Sequence, residues 1–328
     1  MTNNNEIRTA EWARCGHPDR VADILADSLL DEYLKQDPNS RVAIEVFGCH
    51  GIITVGGEVT SKANVNVSQI VKDVYKEIGY NDSIGVQVNI VKQSPEISDL
   101  ADEGAGDSGI VTGYACNETK EKLPLEVVLA KRIADKLDED KILLPDGKIQ
   151  VTLENGLIKN VVVAYQAKEN EYNYIKTVVD NIILDINLHN EDRLFTYNLE
   201  HFHFVIGGFD ADVGLSGRKL ITPYGPRIPI GGGNFSGKDP SKVDRSGAYL
   251  ARKIAIEELE KQGLNECFIE LAYVIGRNEP LYLKVNGENF VRENINVSDV
   301  LNNLKLRRPI FKNASMKGHF GYLDCPWE

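Results

Sequence analysis

Residues Gly231–Ser246 read GGGNFSGKDPSKVDRS, and Gly232, Gly237 and Lys238 fall in the frame G-x-x-x-x-G-K of a phosphate-binding P-loop. That frame needs Ser or Thr next, whose hydroxyl ligates Mg²⁺, but this chain has Asp239 followed by Pro240. Pro240 disfavours a helical Asp239. The preceding TPYGPRIPI is broken by Pro223, Pro226 and Pro229 where a P-loop follows an uninterrupted buried strand. The segment is therefore not the P-loop of a P-loop fold. Its charge still marks it: from Ser216 to Ser246 the cations Arg218, Lys219, Arg227, Lys238, Lys242 and Arg245 face only Asp239 and Asp244. A cationic, glycine-rich stretch in a chain of net charge −12 reads as an anion site rather than as a solvated face. The lysines can pair with phosphates as point charges, and Asp244 can hold Mg²⁺ through oxygen.

The rest of the composition narrows the class. The chain has 328 residues, 42% hydrophobic and 26% charged, which suits a globular protein of one large or two to three smaller domains. The acidic balance disfavours a nucleic-acid binder. No segment has the apolar length of a membrane span, and MTNNNEIRTAEWARCGHPD lacks the basic and apolar regions of a secretory signal. Cys15, Cys49, Cys116, Cys267 and Cys325 lie far apart with no C-x-x-C pair, as expected of reduced thiols in a cytoplasmic protein.

An order of elements repeats. HPDRVADILADSLLDEYLKQ is a helix with Val21, Leu25, Leu29 and Tyr33 on one apolar face. RVAIEVFGCHGIITVGGEVT follows as a hairpin turning at 48–51, and VSQIVKDVYKEIGY as a helix ended by Gly79. LEVVLAKRIADKL, the hairpin KIQVTLENGLIKNVVVAYQ with its Asn155-Gly156 turn, and EYNYIKTVVDNIILDI repeat the order. GAYLARKIAIEELEKQG, CFIELAYVIGRNEPLYLKV and NVSDVLNNLKL repeat it again. The pattern predicts an α+β protein of three pseudo-repeated α/β domains, each helix–hairpin–helix, with sheets packed on helices. Approximate boundaries are 1–100, 101–205 and 206–328. No Ser/Gly linker separates the units, so they pack tightly.

Two shorter stretches carry weaker signals. In GHPDR, Pro18 suits the first helical turn, which puts His17 and Asp19 at the positive end of the helix, a place for an anion and its metal. In DEGAGDSG, Asp107 can accept hydrogen bonds, although by itself that stretch reads as a surface turn. His201 and His203 alternate on one strand face and, with no third ligand nearby, read as packing or pocket lining.

Taken in order, GHPDRVAD, VGGEVT, KQSPEI, GAGDSG, GYACNET, FVIGG, GLSGRK, GGGNFSGKDPSKVDRS and GHFG resemble the S-adenosylmethionine synthetase (methionine adenosyltransferase) family over nearly the whole chain. The resemblance implies three interleaved domains with a dimer interface. It also implies a homodimer, often a dimer of dimers, whose active sites are shared between subunits. The implied reaction is in-line attack of methionine sulfur on C5′ of ATP, with the expelled triphosphate hydrolysed to phosphate and diphosphate. Sulfur is a good nucleophile, so the work lies in positioning and in stabilising the leaving triphosphate.

By the same resemblance, His17, Lys148, Arg218, Lys219 and Lys238 are catalytic. Glu11, Asp107, Phe204, Asp212 and Lys242 join them around ATP. Glu58, Gln93, Asp212, Lys242 and Ile275 surround methionine. Asp19 and Asp244 are Mg²⁺ ligands, with two ions per site, and Glu45 is the K⁺ ligand. Arg20, His203 and Ile230 depart from the family pattern, and the chain ends at CPWE without the usual extension. Two readings compete, a divergent triphosphatase, motivated by Arg20, His203 and Ile230, and a non-catalytic ATP-binding partner subunit. The presence of His17, Asp19, Lys148, Lys238 and Asp244 argues against the second. The connection from Gln93 to Asp107 matches the family's mobile lid and is several residues shorter. A lid excludes water around methionine, while the charges that hold ATP sit elsewhere. Replacing Ile97 and Leu100 by glycine is therefore expected to lower methionine turnover and leave ATP affinity, measured by calorimetry, nearly unchanged. Parallel loss of both would make the segment part of the nucleotide site.

Overall fold

The computed structural model describes residues 6–93, 104–140, 142–185, 194–197, 203–229 and 233–328. Residues 94–103 of the expected lid, His201 and Ile230 lie outside these residues.

The chain makes three passages of strand, long helix and hairpin. The first contains β1 (Ile7–Ala13), α1 (Pro18–Gln36), the hairpin β2 (Arg41–Cys49) and β3 (Ile52–Thr60), α2 (Val67–Ile78) and β4 (Gly85–Val91). The second contains β5 (Gly109–Cys116), α3 (Leu125–Glu139), the hairpin β6 (Gly147–Glu154) and β7 (Leu157–Tyr165), α4 (Tyr172–Asp185) and β8 (Leu194–Tyr197). The third contains β9 (Gly214–Leu215), α5 (Val243–Gln262), the hairpin β10 (Glu266–Tyr273) and β11 (Tyr282–Val285), β12 (Glu288–Asn289), α6 (Val297–Asn303) and α7 (Phe311–Lys317).

Local chemistry accounts for the turns. The first hairpin reverses at His50 (φ 38°) and Gly51 (φ 78°), the second at Asn155 (φ 54°) and Gly156 (φ 78°), both with the positive φ pair that a right-twisted hairpin requires. Gly79 (φ 124°) ends α2, and Gly263 in the left-handed region ends α5.

The leading strand of each passage does not stay with its own hairpin. β1 pairs antiparallel with β6, β5 with β10, and β9 with β2. The sheets run β4-β3-β2-β9, β1-β6-β7-β8 and β12-β11-β10-β5. Each unit thus lends one strand to the next and the third lends to the first, closing a ring of exchanges. This is the interleaving expected of the family, and it leaves no unit with a complete sheet of its own.

Helix α1 departs from its expected one-faced character. Val21, Leu25, Leu29 and Tyr33 are buried as expected, but so are Asp19, Asp23, Asp27 and Asp31, spaced four residues apart on the opposite side. Each of these carboxylates accepts backbone N–H groups from the third passage. Asp19 takes Leu215 at 3.1 Å, Asp23 takes Gly217 at 2.7 Å, and Asp27 takes Gly237 at 2.8 Å. Asp31 takes Phe311 at 3.0 Å and Lys312 at 2.8 Å, at the start of α7. Asp27 also forms a wholly buried ion pair with Arg245, which further donates to the carbonyls of Phe235 and Lys238.

Breaking such a pair from one side leaves an uncompensated buried charge, which costs about 3–5 kcal/mol. Asp27→Ala is expected to lower the unfolding free energy by that order, with a matching fall in the denaturant midpoint, and Asp27→Ala combined with Arg245→Met by less. An Asp27→Ala midpoint equal to the wild type would show that the pair does not hold α1 to α5.

Candidate functional site

The N-terminal end of α1 gathers the first cluster. His17 is its N-cap, and its Nδ1 accepts the Asp19 N–H at 3.2 Å. Burial, joined by the charge of Lys219, lowers its pKa to about 4, so the ring is neutral at pH 7. A neutral ring whose Nδ1 accepts carries its proton on Nε2, leaving that atom a hydrogen-bond donor. Asp19, 1% exposed, meets Lys219 Nζ at 2.7 Å and Arg218 Nε at 3.2 Å. Lys148 on β6 reaches Glu11 on β1 at 3.1 Å, both half-exposed, and Lys148 contributes to the field at His17. The strand exchange between β1 and β6 is what brings Glu11 and Lys148 together.

The glycine–lysine loop forms the second cluster. Its segment docks on β2, with Asp239 N–H on the Val42 carbonyl at 2.9 Å and Ile44 N–H on the Gly237 carbonyl at 3.1 Å. The loop therefore extends the first sheet instead of leading straight into a helix, and α5 begins only at Val243. Lys238 hydrogen-bonds Asp244 in the first turn of α5, and Asp107 lies 3.9 Å from the same ammonium. Burial raises the Asp244 pKa, with the Lys238 hydrogen bond and charge pulling it back. Lys242, 5% exposed, caps α5. The GAGDSG stretch is no loose surface turn: Ala105 is fully buried, its N–H bonds Arg277, and Gly106 N–H bonds Ser241. Ser108 Oγ accepts the Ile275 N–H at 2.8 Å, which places Ile275 beside Asp107.

A third group lies on the exposed face of the β2–β3 hairpin. Glu45 accepts Ser216 Oγ at 2.5 Å and Asn234 Nδ2 at 2.8 Å, and so joins the Arg218 loop to the Lys238 loop. Among the described residues it has no ion-pair partner. Glu58 occupies the same face one register step beyond, since Glu45 pairs Gly56 and Ala43 pairs Glu58. Gln93, 5% exposed, has an Oε1 with no hydrogen-bond partner among the described residues.

Phe204 and Asp212 stand apart. The Phe204 carbonyl accepts the Ala167 N–H, and Asp212 is exposed with its carboxylate on the Val213 N–H at 2.8 Å. No hydrogen bond or ion pair among the described residues links either to the clusters. His203 stacks on Tyr172, ring centroids 4.2 Å apart. Arg20 faces away from the site: its guanidinium donates to the carbonyls of Ala13, Ser315 and Met316. A planar fork can satisfy several carbonyls in one plane where a lysine is a point donor, so arginine here has a structural reason. Ser216, Asn234 and Asp23 were not singled out from sequence, because a lone Ser, Asn or helical Asp carries no motif signal.

Comparison with known proteins agrees across the chain. The family models for S-adenosylmethionine synthetase match as the N-terminal domain over residues 5–99, the central domain over 102–206 and the C-terminal domain over 206–328. The chain is 35% identical to the S-adenosylmethionine synthase of Aquifex aeolicus, covering 98% of this chain and 96% of the relative. It is 38% identical to that of Brachyspira hyodysenteriae, with coverage of 97% and 93%. The relative from Staphylococcus epidermidis is 36% identical, with coverage of 100% and 96%.

A Cβ on Gly233 would lie 2.6 Å from Asp244 Oδ1. Gly233→Ala is thus expected to displace that carboxylate and weaken Mg²⁺-dependent tripolyphosphate binding about ten-fold, with the melting temperature nearly unchanged. Unaltered binding would mean that Asp244 takes no part in holding the anion.

Proposed function

The chain belongs to the S-adenosylmethionine synthetase family, transferases that form S-adenosylmethionine, and on that premise we propose that it joins ATP and L-methionine between the two cationic clusters. The observation that carries this reading is a pair of buried carboxylates, Asp19 and Asp244, each engaged by a lysine ammonium.

Those lysines put positive charge against hard oxygen donors, where a divalent cation fits. Among the described residues no group of three or more His, Cys, Asp or Glu could hold a metal. One carboxylate per ion, completed by phosphate oxygens and water, is the usual protein share for Mg²⁺. Glu45, a carboxylate without a countercharge, fits K⁺ together with Ser216 Oγ. When bound, the metal ions neutralise charge on the triphosphate and hold its oxygens in place.

The protein's own groups divide the remaining work. Lys148, Arg218, Lys219, Lys238 and Lys242 grip the phosphates. Neutral His17 presents Nε2–H to the oxygen that joins C5′ to the triphosphate, where negative charge develops as the bond breaks. Glu11, Asp107 and Phe204 contact the adenosine side, with Asp212 reaching both substrates. Glu58, Gln93 and Ile275 receive methionine, and the unpartnered Gln93 Oε1 suits its ammonium group. No side chain need act as nucleophile, because the sulfur attacks directly.

We propose a site assembled from one subunit's His17–Asp19–Lys219 cluster and the other's Lys238–Asp244 cluster, in a homodimer or a dimer of dimers. The open face of the first sheet, with Phe47 43% and Ile52 45% exposed, is an apolar surface suited to a partner copy. No helix of the described residues is long and apolar enough to cross a membrane, and with all five cysteines free the reaction suits the reducing cytoplasm.

Purified protein with ATP, methionine, Mg²⁺ and K⁺ is expected to yield S-adenosylmethionine and phosphate together. Asp19→Asn and Asp244→Asn are each expected to reduce kcat at least a hundred-fold with the fold intact. Mixed dimers of the two variants should recover part of the activity. Phosphate release without S-adenosylmethionine would overturn the reading.

A further inference from the structure

The second carboxylate on α1 has no place in the chemistry above, yet it is built like a functional group. Asp23 is 2% exposed and, among the described residues, has no cationic partner at hydrogen-bond distance. Its Oδ1 accepts the Gly217 N–H at 2.7 Å, and the Ser236 hydroxyl, which donates to the Asp23 backbone carbonyl at 3.4 Å, lies close enough to act on the carboxylate as well. Gly217 immediately precedes Arg218 and Lys219, while Ser236 lies two residues before Lys238. Asp23 thus sits between the two loops that carry three of the cations.

Gly217 has little room to move. Its φ is 92°, and a Cβ there would meet the Asn234 side chain at 2.4 Å. Asn234 in turn holds Glu45, and Glu45 holds Ser216. The backbone at 215–217 is therefore pinned from three sides: Asp19 on Leu215 N–H, Val46 on Ser216 N–H, and Asp23 on Gly217 N–H. A buried carboxylate carries a large desolvation cost, and burial raises the pKa of Asp23 to about 7. Held by a backbone N–H donor and not by a salt bridge, the group fixes the orientation of the loop it binds.

We infer that Asp23 is a positioning residue of the phosphate site, which aims Arg218 and Lys219 at the triphosphate by fixing the Gly217 N–H from one helical turn below Asp19. It touches no substrate. Its action is to keep the two side chains, which leave the backbone directly after Gly217, from following the loop away from the anion. The inference rests on the proposed role of Arg218 and Lys219 in gripping phosphate.

The helix supplies its own control. Asp31 is another buried carboxylate of α1 bonded to backbone N–H groups, but those belong to α7 and carry no cation of the site. Tripolyphosphate binding is measured by calorimetry in Mg²⁺ for the wild type, Asp23→Ala, Asp23→Asn and Asp31→Ala, alongside melting temperatures and methionine kinetics. Asp23→Ala is expected to bind tripolyphosphate at least ten-fold more weakly and to lose kcat, with KM for methionine changed less than three-fold. Asp23→Asn keeps an acceptor for Gly217 and is expected to restore binding to within three-fold of the wild type. Asp31→Ala should melt lower yet bind tripolyphosphate normally. Wild-type binding by folded Asp23→Ala overturns the inference, as does equal weakening in Asp31→Ala. If Asp23→Ala fails to fold, Asp23→Ser, too short to reach Gly217, takes its place with the same expected loss. Failure of the wild type to bind tripolyphosphate would instead overturn the phosphate-site reading on which the inference depends.

Discussion

Four aspartates on one buried side of α1 hold the C-terminal third of the chain to the N-terminal third through its backbone N–H groups. Burying carboxylates is costly, and only the Asp27–Arg245 pair brings a full countercharge into the dry interior. Asp19 adds the half-buried site cations Lys219 and Arg218, while Asp23 and Asp31 are compensated by hydrogen bonds from loops that an apolar contact could not orient. An apolar helix face would bind another apolar surface in many registers. A carboxylate every four residues accepts only particular N–H groups, and so specifies which loop lies at which turn. The cationic loops owe their places to this column: Arg218 and Lys219 follow the segment held by Asp19 and Asp23, and Lys238 follows the Gly237 held by Asp27.

The circular strand exchange does the same at the level of sheets. Because β9 belongs in chain order to the third unit but pairs with β2 of the first, the Arg218 loop starts from the edge of the sheet that carries Glu45. Because β1 pairs with β6, Glu11 reaches Lys148 across a unit boundary. No single unit contains a whole cluster, so each cluster depends on contacts between units. The arrangement also explains why no flexible linker separates the units: each boundary is crossed by paired strands on both sides.

Within each cluster, charge is balanced locally. Lys219 answers Asp19 and Lys238 answers Asp244, so the buried carboxylates are not left bare when anion and metal are away. On the proposed reading, a polyphosphate would draw the lysines to its oxygens, and Asp19 and Asp244 would be left to hold its metal ions. His17 stays neutral because burial and the nearby lysine both disfavour its charged form, which suits a donor facing developing negative charge.

The sequence by itself determined the elements, because they follow from local physics. Periodic apolar residues define α1, Asn155-Gly156 defines a hairpin, and a Pro after Lys238-Asp239 rules out a P-loop. Nine ordered motifs identified the family and with it the reaction. What the sequence could not express is which strand pairs with which, since β1, β5 and β9 suit the hairpin of their own unit as well as that of the next. Nor could it tell that the polar side of α1 would be buried: Asp23 and Asp31 are met by Gly217 and Phe311, which lie 194 and 280 residues further along the chain. Long-range closure decided those contacts, because hydrogen bonds between a helical carboxylate and a distant backbone N–H leave no periodic trace along the chain.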